Sequence, residues 1–447
     1  MADASSPNPS EAAPAAAPYS PAYLRYALGL LCVVYVVNFV DRQVLSILLQ
    51  SIKDDLGLMD WQLGLLSGTA FGIFYATLGI PIARLADRFS RKGVIAVCLT
   101  IWSGMTALCG TASGFATLLL YRIGVGVGEA GGSPPAHSMI SDYFPPEKRA
   151  TALGVFSLGV PLGILVGFLA GGWLDQVLGW RQAFIVVGLP GVVLAIIVAT
   201  TLREPVRGLS EGIQANDDAA PTAFEVMAYL WGLRSFRHVS VASGLYAFVG
   251  YSSTNWMPSF LSRSHGMSQG DIGTSLALII GIGGGIGIYL GGVLSDRYSR
   301  SDPRNGLRVP MWAMALAFPP GFVVFLTDSS TLALAAFTVP AFLGLMYQAP
   351  AFAVVQSLAT PKMRATAAAV LLFVINIIGM GLGPLATGII SDALEPRFGD
   401  DSLRYALLIV SAGLVWSALH FFLAQRSFVA DQAVAREAIA RESVGSS

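Results

Sequence analysis

The stretch Leu85-Ala86-Asp87-Arg88-Phe89-Ser90-Arg91-Lys92 lies between two long apolar runs and returns about two hundred residues later as Leu294-Ser295-Asp296-Arg297-Tyr298-Ser299-Arg300. A charged hairpin repeated between hydrophobic spans describes a duplicated membrane bundle, because a soluble core has no use for that pattern. A second echo has nearly the same offset: Pro146-Glu147-Lys148-Arg149-Ala150-Thr151-Ala152 and Pro361-Lys362-Met363-Arg364-Ala365-Thr366-Ala367 each open an apolar run. Paired repeats of this size characterise secondary carriers.

Composition agrees. With 54% hydrophobic and 12% charged residues and a mean hydropathy of +0.64, the chain lies far from soluble usage. Crossing a bilayer takes roughly 20 apolar residues, and about twelve such runs can be read between charged or Pro/Gly punctuation. The expected fold is an all-α membrane protein of twelve transmembrane helices in two pseudo-symmetric six-helix bundles. Its parts are an N-terminal arm over 1–22, a first bundle over 23–204, a linker over 205–235, a second bundle over 236–427 and a tail over 428–447. The arm is rich in Ala, Pro and Ser and has neither a basic start nor an apolar stretch, so it reads as disordered rather than as a signal peptide. The linker holds a polar stretch, Gly208 to Pro221, and then Thr222 to Trp231, a candidate interfacial helix.

Sixteen Lys and Arg fall in connections on one side, against Lys53, Arg181, Arg263, Arg397 and Arg404 on the other. The positive-inside rule puts the sixteen and both termini in the cytoplasm, in a multi-pass protein of the plasma (inner) membrane. Cys32, Cys98 and Cys109 lie in apolar runs without metal-ligand spacing and read as packing residues.

A charge at mid-bilayer costs on the order of 3 kcal/mol even on insertion scales, so the four charges deep in the first half need a reason. Asp41 and Arg42 sit in Asn38-Phe39-Val40-Asp41-Arg42, within the first span; Arg122 and Glu129 sit in the fourth. At 100° per residue Arg122, Gly126, Glu129 and Ser133 share one face, while Gly124, Gly128, Gly131 and Gly132 form a bare face opposite. The bare face suits close helix packing, which leaves the polar face for a cavity. Asp41 and Glu129 are the candidate proton-coupling carboxylates. Arg42 and Arg122, with Asn38 beside them, are the candidate binders of an anionic head group, since arginine grips phosphate or carboxylate through a fork of donors. The bland alternative is two buried ion pairs that hold the helices in register. His137, after Pro134-Pro135 at an expected helix break, and the neutral polar or aromatic residues Tyr246, Asn255, Tyr347 and Asn376 of the second half are weaker candidates. His265 reads as solvated at a helix end, and Gly281 with Gly285 as a tight helix contact.

These features resemble the major facilitator superfamily, whose signature in the loop between the second and third helices has the form G-x-x-x-D-R/K-x-G-R-K/R. Asp87, Arg88, Arg91 and Lys92 match it, with Ala83 and Ser90 in place of the glycines; the later copy keeps Gly292, Asp296, Arg297 and Arg300, with Ser299 for glycine. The resemblance implies a cytoplasmic gate, in which Asp87, Arg88, Arg91, Arg149, Asp296, Arg297 and Arg364 meet across the two halves when that side closes. Within the superfamily the first- and fourth-span charges resemble the Spinster family, which moves lysolipids and sphingolipids; this implies a central group of Asp41, Arg42, Arg122 and Glu129. Trp256-Met257-Pro258-Ser259-Phe260-Leu261 is similar to a segment of the superfamily's organic-anion carriers.

The expectation is a secondary active transporter working by alternating access, proton-coupled, moving an amphipathic anion such as a lysolipid or sphingoid phosphate. The alternative is a proton-coupled symporter of small carboxylates or sugar acids. An enzyme would need a nucleophile or metal constellation, and the four scattered histidines offer none. The expected partners are the small-molecule or lipid substrate, protons and membrane lipids, for a monomer with no cofactor, metal or nucleic-acid partner.

Overall fold

The computed structural model describes residues 19–207, 222–360 and 363–445. Most of the expected arm, the polar linker stretch, Pro361, Lys362 and the last two residues lie outside them, as does the side chain of Asp87. Among the described residues there are no strands. The first half comprises α1 (Pro21–Leu56), α2 (60–88), α3 (Arg91–Cys109), α4 (115–143), α5 (146–178) and α6 (Trp180–Thr201). The linker carries α7 (Ala223–Gly232). The second half comprises α8 (Arg234–His265), α9 (Gln269–Ser299), α10 (Pro303–Leu326), α11 (Ser330–Leu358), α12 (364–398) and α13 (402–445). The last span and the tail are therefore one continuous helix.

Local chemistry sets the ends. Ser20 accepts from the Tyr23 amide at the start of α1, and Gly57, at φ +62°, ends it in the left-handed region that glycine adopts freely. Ser90, which stands where the signature has glycine, caps α3 by accepting from the Gly93 amide. Thr222 and Glu225 form a capping box on α7, whose Val226 and Leu230 are buried while Phe224, Met227 and Trp231 are exposed, the two-faced pattern of an interfacial helix. α4 breaks at Ala130–Gly132, just before Pro134-Pro135. Exposed Val, Leu, Ile and Trp on α5, α6, α10 and α13, such as Val166, Ile196, Trp312 and Trp416, face outward as a lipid-facing surface must.

The two halves meet along two seams. At one, α2 runs against α12: a Cβ on Gly64 would overlap the Pro384 carbonyl, and one on Gly388 the Asp60 carbonyl. At the other, α5 runs against α9, with Gly172 against Gln269 and Gly273 against Phe168 in the same way. Close backbone approach of this kind needs residues without side chains. Single turns of π-helix interrupt α2 at Leu65–Thr69, α9 at Ala277–Gly283 and α12 at Asn376–Leu382, all beside these seams. Hydrogen bonds between described residues that join the halves lie from mid-span toward the face away from the termini: Ser46 to Asn255, Thr69 to Gly381, Gln176 to Gly270 and Trp173 to Thr274 among them.

Two local readings change. The tightest backbone contacts of the α9 glycines are Gly273 against Phe168, Gly287 against Phe342 and Gly291 against Met346; of the predicted pair, Gly281 lies close against Leu165 of the other half, and Gly285 meets Pro161 only loosely. His265 is half-buried against the Phe260 ring rather than solvated, because α8 ends inside a ring of neighbours.

Candidate functional site

α1 brings Asn38, Asp41 and Arg42 to one side, and α4 presents Arg122 and Glu129 to them. The Arg42 Nε donates to Glu129 Oε2 at 2.7 Å. Asp41, Arg122 and Glu129 are each at most 1% exposed, whereas the Arg42 side chain keeps 13%. Arg42 therefore stands between the other three and the space between the halves. The predicted bare face of α4 does pack closely: Gly124 lies on Met105, and Gly128 and Gly131 lie on Trp102 and Cys98 of α3.

Only one of the two conceivable ion pairs is made by hydrogen bonding. Both Asp41 oxygens, the Arg122 Nε and Nη1 and the Glu129 Oε1 are buried without a close hydrogen bond in the protein, with only the longer approaches of Thr106 to Asp41 and Asn38 to Glu129 beside them. An unsatisfied buried polar group costs about 1–3 kcal/mol, more when charged. A set this large is costly to stability unless water or a bound solute satisfies it.

Aromatic rings, which the charge pattern could not reveal, complete the site. The Arg42 guanidinium lies 4.9 Å from the Phe39 ring centre, 4.9 Å from Phe71 and 4.7 Å from Tyr75, and Arg122 lies 5.6 Å from the same Phe71 ring. Phe71 thus supports both cations, and cation–π contacts hold an arginine without neutralising it. The only sequence signal was an aromatic-rich second span, which reads equally well as lipid-facing. From the second half Tyr251 interacts with Arg42, with Tyr246 and Tyr347, ring centres 4.5 Å apart, beyond it, and Asn255 Oδ1 accepts from Ser46 of α1. Among the described residues, Arg263 and Arg404 of the second half also carry little-exposed charged side chains, both near the outer face. His137 bonds the Ser133 carbonyl and leans on Phe156, a packing role.

The repeated loops are placed differently. Arg91, 2% exposed, is held inside its own half: it pairs with Asp142, donates to Glu204 Oε1 at 2.8 Å and to Ser138 Oγ at 2.8 Å, and reaches the Pro205 carbonyl. Glu204 also accepts from Ser90 Oγ and the Lys92 amide. Burial pushes its carboxyl up, but these donors outweigh that and hold it below the ordinary glutamate value. Arg149 donates to the Ser141 carbonyl, while Arg88, Asp296, Arg297 and Arg364 are exposed.

A cluster that sequence reading missed closes the opposite face. Asp60, 2% exposed at the start of α2, accepts from Lys53 Nζ at 2.7 Å, from Arg263 Nη1 and Nη2 at 2.8 Å each, and from Ser391 Oγ at 2.7 Å. Asp392 of α12 accepts the Asp60 and Trp61 amides at 2.9 and 2.7 Å, capping α2 from the other half. Arg263 Nε also donates to Gln50 at 2.6 Å. In the sequence Lys53 and Arg263 were two basic residues near helix ends.

The family model for the Major Facilitator Superfamily matches residues 31–384. An MFS-type efflux pump of Mycolicibacterium smegmatis is 36% identical over 91% of this chain and 93% of its own length. A probable galactarate/D-glucarate transporter of Bacillus subtilis is 29% identical over 89% and 91%. The crystal structure of a bacterial homologue of the human lysosomal transporter Spinster, in an inward-facing and unoccupied conformation, superposes with a TM-score of 0.85 at 33% identity, covering 92% of this chain and 99% of that one.

Proposed function

The chain belongs to the major facilitator superfamily of membrane transporters and resembles Spinster proteins, and from that premise we propose that it is a proton-coupled, alternating-access carrier of an amphipathic anion such as a lysolipid or sphingoid phosphate. It is a multi-pass membrane protein and not an enzyme. The observation that carries the reading is the asymmetry of the central site. The first half holds two arginines on a shared aromatic ring, one of them reaching the space between the halves, and two buried carboxylates with open valences. The second half brings Tyr251 to Arg42 and otherwise supplies neutral side chains.

In this reading Arg42, with Arg122 and Asn38 behind it, attracts the head group, and an arriving anion competes with Glu129 for Arg42. Glu129 or Asp41 then takes a proton, since a buried carboxylate that loses its cation is far less costly neutral. Substrate and proton thereby become linked through one side chain, and the linkage is reciprocal. The terminal face is the cytoplasmic one, as the basic connections indicate. Asp87, Arg88, Arg91, Arg149, Asp296, Arg297 and Arg364 serve its closure, Asp87 and Asp296 each reaching a helix start in the other half. The carrier works as a monomer.

A second reading, a proton symporter of small carboxylates or sugar acids, is favoured by the galactarate/D-glucarate relative, which aligns over nearly the whole chain. Liposomes holding purified protein, assayed with labelled lysolipids and with sugar acids, with and without a pH gradient, separate the two. Gradient-driven movement of lysolipid alone supports the first reading, and of sugar acid alone the second. Movement of either that ignores the gradient removes proton coupling.

A further inference from the structure

The Asp60 cluster cannot be only a lock. When the halves part on this face, Asp60 keeps Lys53, which belongs to its own half, but loses Arg263 and Ser391. Arg263 at the same moment loses both Asp60 oxygens and Gln50. Breaking this charge-assisted pair with no substitute partner biases the face strongly toward the shut state. Asp392 suffers the complementary loss, because its two oxygens give up the Asp60 and Trp61 amides of the departing helix. Opening therefore leaves one unpaired cation and one unpaired anion in the second half, each having just released the same residue.

We propose that Arg263 exchanges carboxylates as this face opens, leaving Asp60 for Asp392. In the closed state Asp60 holds Arg263 while Asp392 caps α2. In the open state Asp60 rests on Lys53, and Asp392 takes Arg263. No full charge is left without a partner at either end of the cycle, so the face is tightly shut without being irreversibly shut. Asp392 is thus a positioning residue for transport, distinct from the central site. The inference rests on the alternating-access reading above and adds the chemistry of one of its two gates.

The experiment measures populations by spin-label distances between Leu178 and Glu395, exposed positions on opposite halves at this face, in protein reconstituted in lipid nanodiscs. Asp60→Asn removes the closed-state partner of Arg263 and should raise the open-to-closed ratio about tenfold, the loss of a charge-assisted pair. Adding Asp392→Asn should bring the ratio back severalfold, because Arg263 then lacks a carboxylate in both states. If Asp392 only caps α2, the double variant is as open as Asp60→Asn or more so, which overturns the exchange. If Asp60→Asn does not insert, Arg263→Gln replaces it: without the cation Asp392→Asn removes only the cap and opens the face, whereas in the wild-type background it opens the face less or closes it. Equal opening in both backgrounds overturns the proposal. A single distance distribution in every protein, under every condition, sinks alternating access on this face together with the exchange, and is recognisable because no variant moves it.

Discussion

Asp41 and Asp60 are both buried aspartates within reach of arginines, and they have opposite fates. Asp60 has donors on both oxygens, from two halves of the molecule. Asp41 has no close donor on either, only the longer approach of the Thr106 hydroxyl. Burial of a charge is thus uninformative until its hydrogen bonds are counted: a satisfied carboxylate makes a joint, and one without close donors, under the proposed function, keeps its valences for a proton or substrate.

The difference should be plainest in stability. Asp60→Asn removes the closed-state carboxylate of Arg263 and Lys53 and should lower unfolding stability by about 1.5 kcal/mol, the lower end of what a hydrogen bond to a charged group is worth. Asp41→Asn should leave it unchanged or higher, since an unpartnered buried charge is removed. Thermal unfolding in detergent compares the two, and equal losses would erase the distinction between joint and site. In the same pair, pH-dependent opening should vanish with Asp41→Asn or Glu129→Gln and survive Asp60→Asn, as followed by distance probes across each face.

The seam beneath Asp60 offers a second way to probe the joint. Gly388→Ala places a methyl group in the Asp60 carbonyl and should cost about 1–3 kcal/mol of closed-state stability through overpacking, visible as a shift toward the open outer face. Gly104→Ala, where nothing lies nearby, should be silent in that measurement.

On the side of the site, Arg42→Gln should weaken an anionic ligand by about 1.5–3 kcal/mol, the worth of a hydrogen bond to a charged group, and an uncharged analogue much less. Equal losses for both ligands in a binding titration would mean that Arg42 serves only Glu129.

The smallest effect concerns Glu204, whose carboxyl is held below its ordinary value by Arg91, Ser90 and the Lys92 amide despite partial burial. Its folded value being depressed, its contribution is present above the ordinary carboxylate range and is lost as pH falls through that folded value. Because the side chain is 30% exposed, the loss should stay within about 1 kcal/mol. Protection of the Lys92 amide in hydrogen exchange should fall with acid in the wild type, and remain low throughout in Glu204→Gln.

The sequence by itself determined that this chain is a duplicated membrane carrier, because repeats, span length and the placement of basic residues follow from local composition and from the uniform demand of the bilayer. It also pointed to Asn38, Asp41, Arg42, Arg122 and Glu129, since a charge inside an apolar run is costly wherever the helices go. It placed the bare glycine face of the fourth span, a matter of 100° periodicity. Only the tertiary structure decided which charges are satisfied. Asp60, Arg263 and Asp392 sit at helix ends, where charge needs no explanation, and are separated along the chain by hundreds of residues. Phe71 and Tyr75 look like any aromatic residues of a lipid-facing helix until α2 turns them onto Arg42. Hydrogen bonds depend on distances of a few tenths of an ångström between chain-distant atoms, and no spacing rule along one helix carries that information.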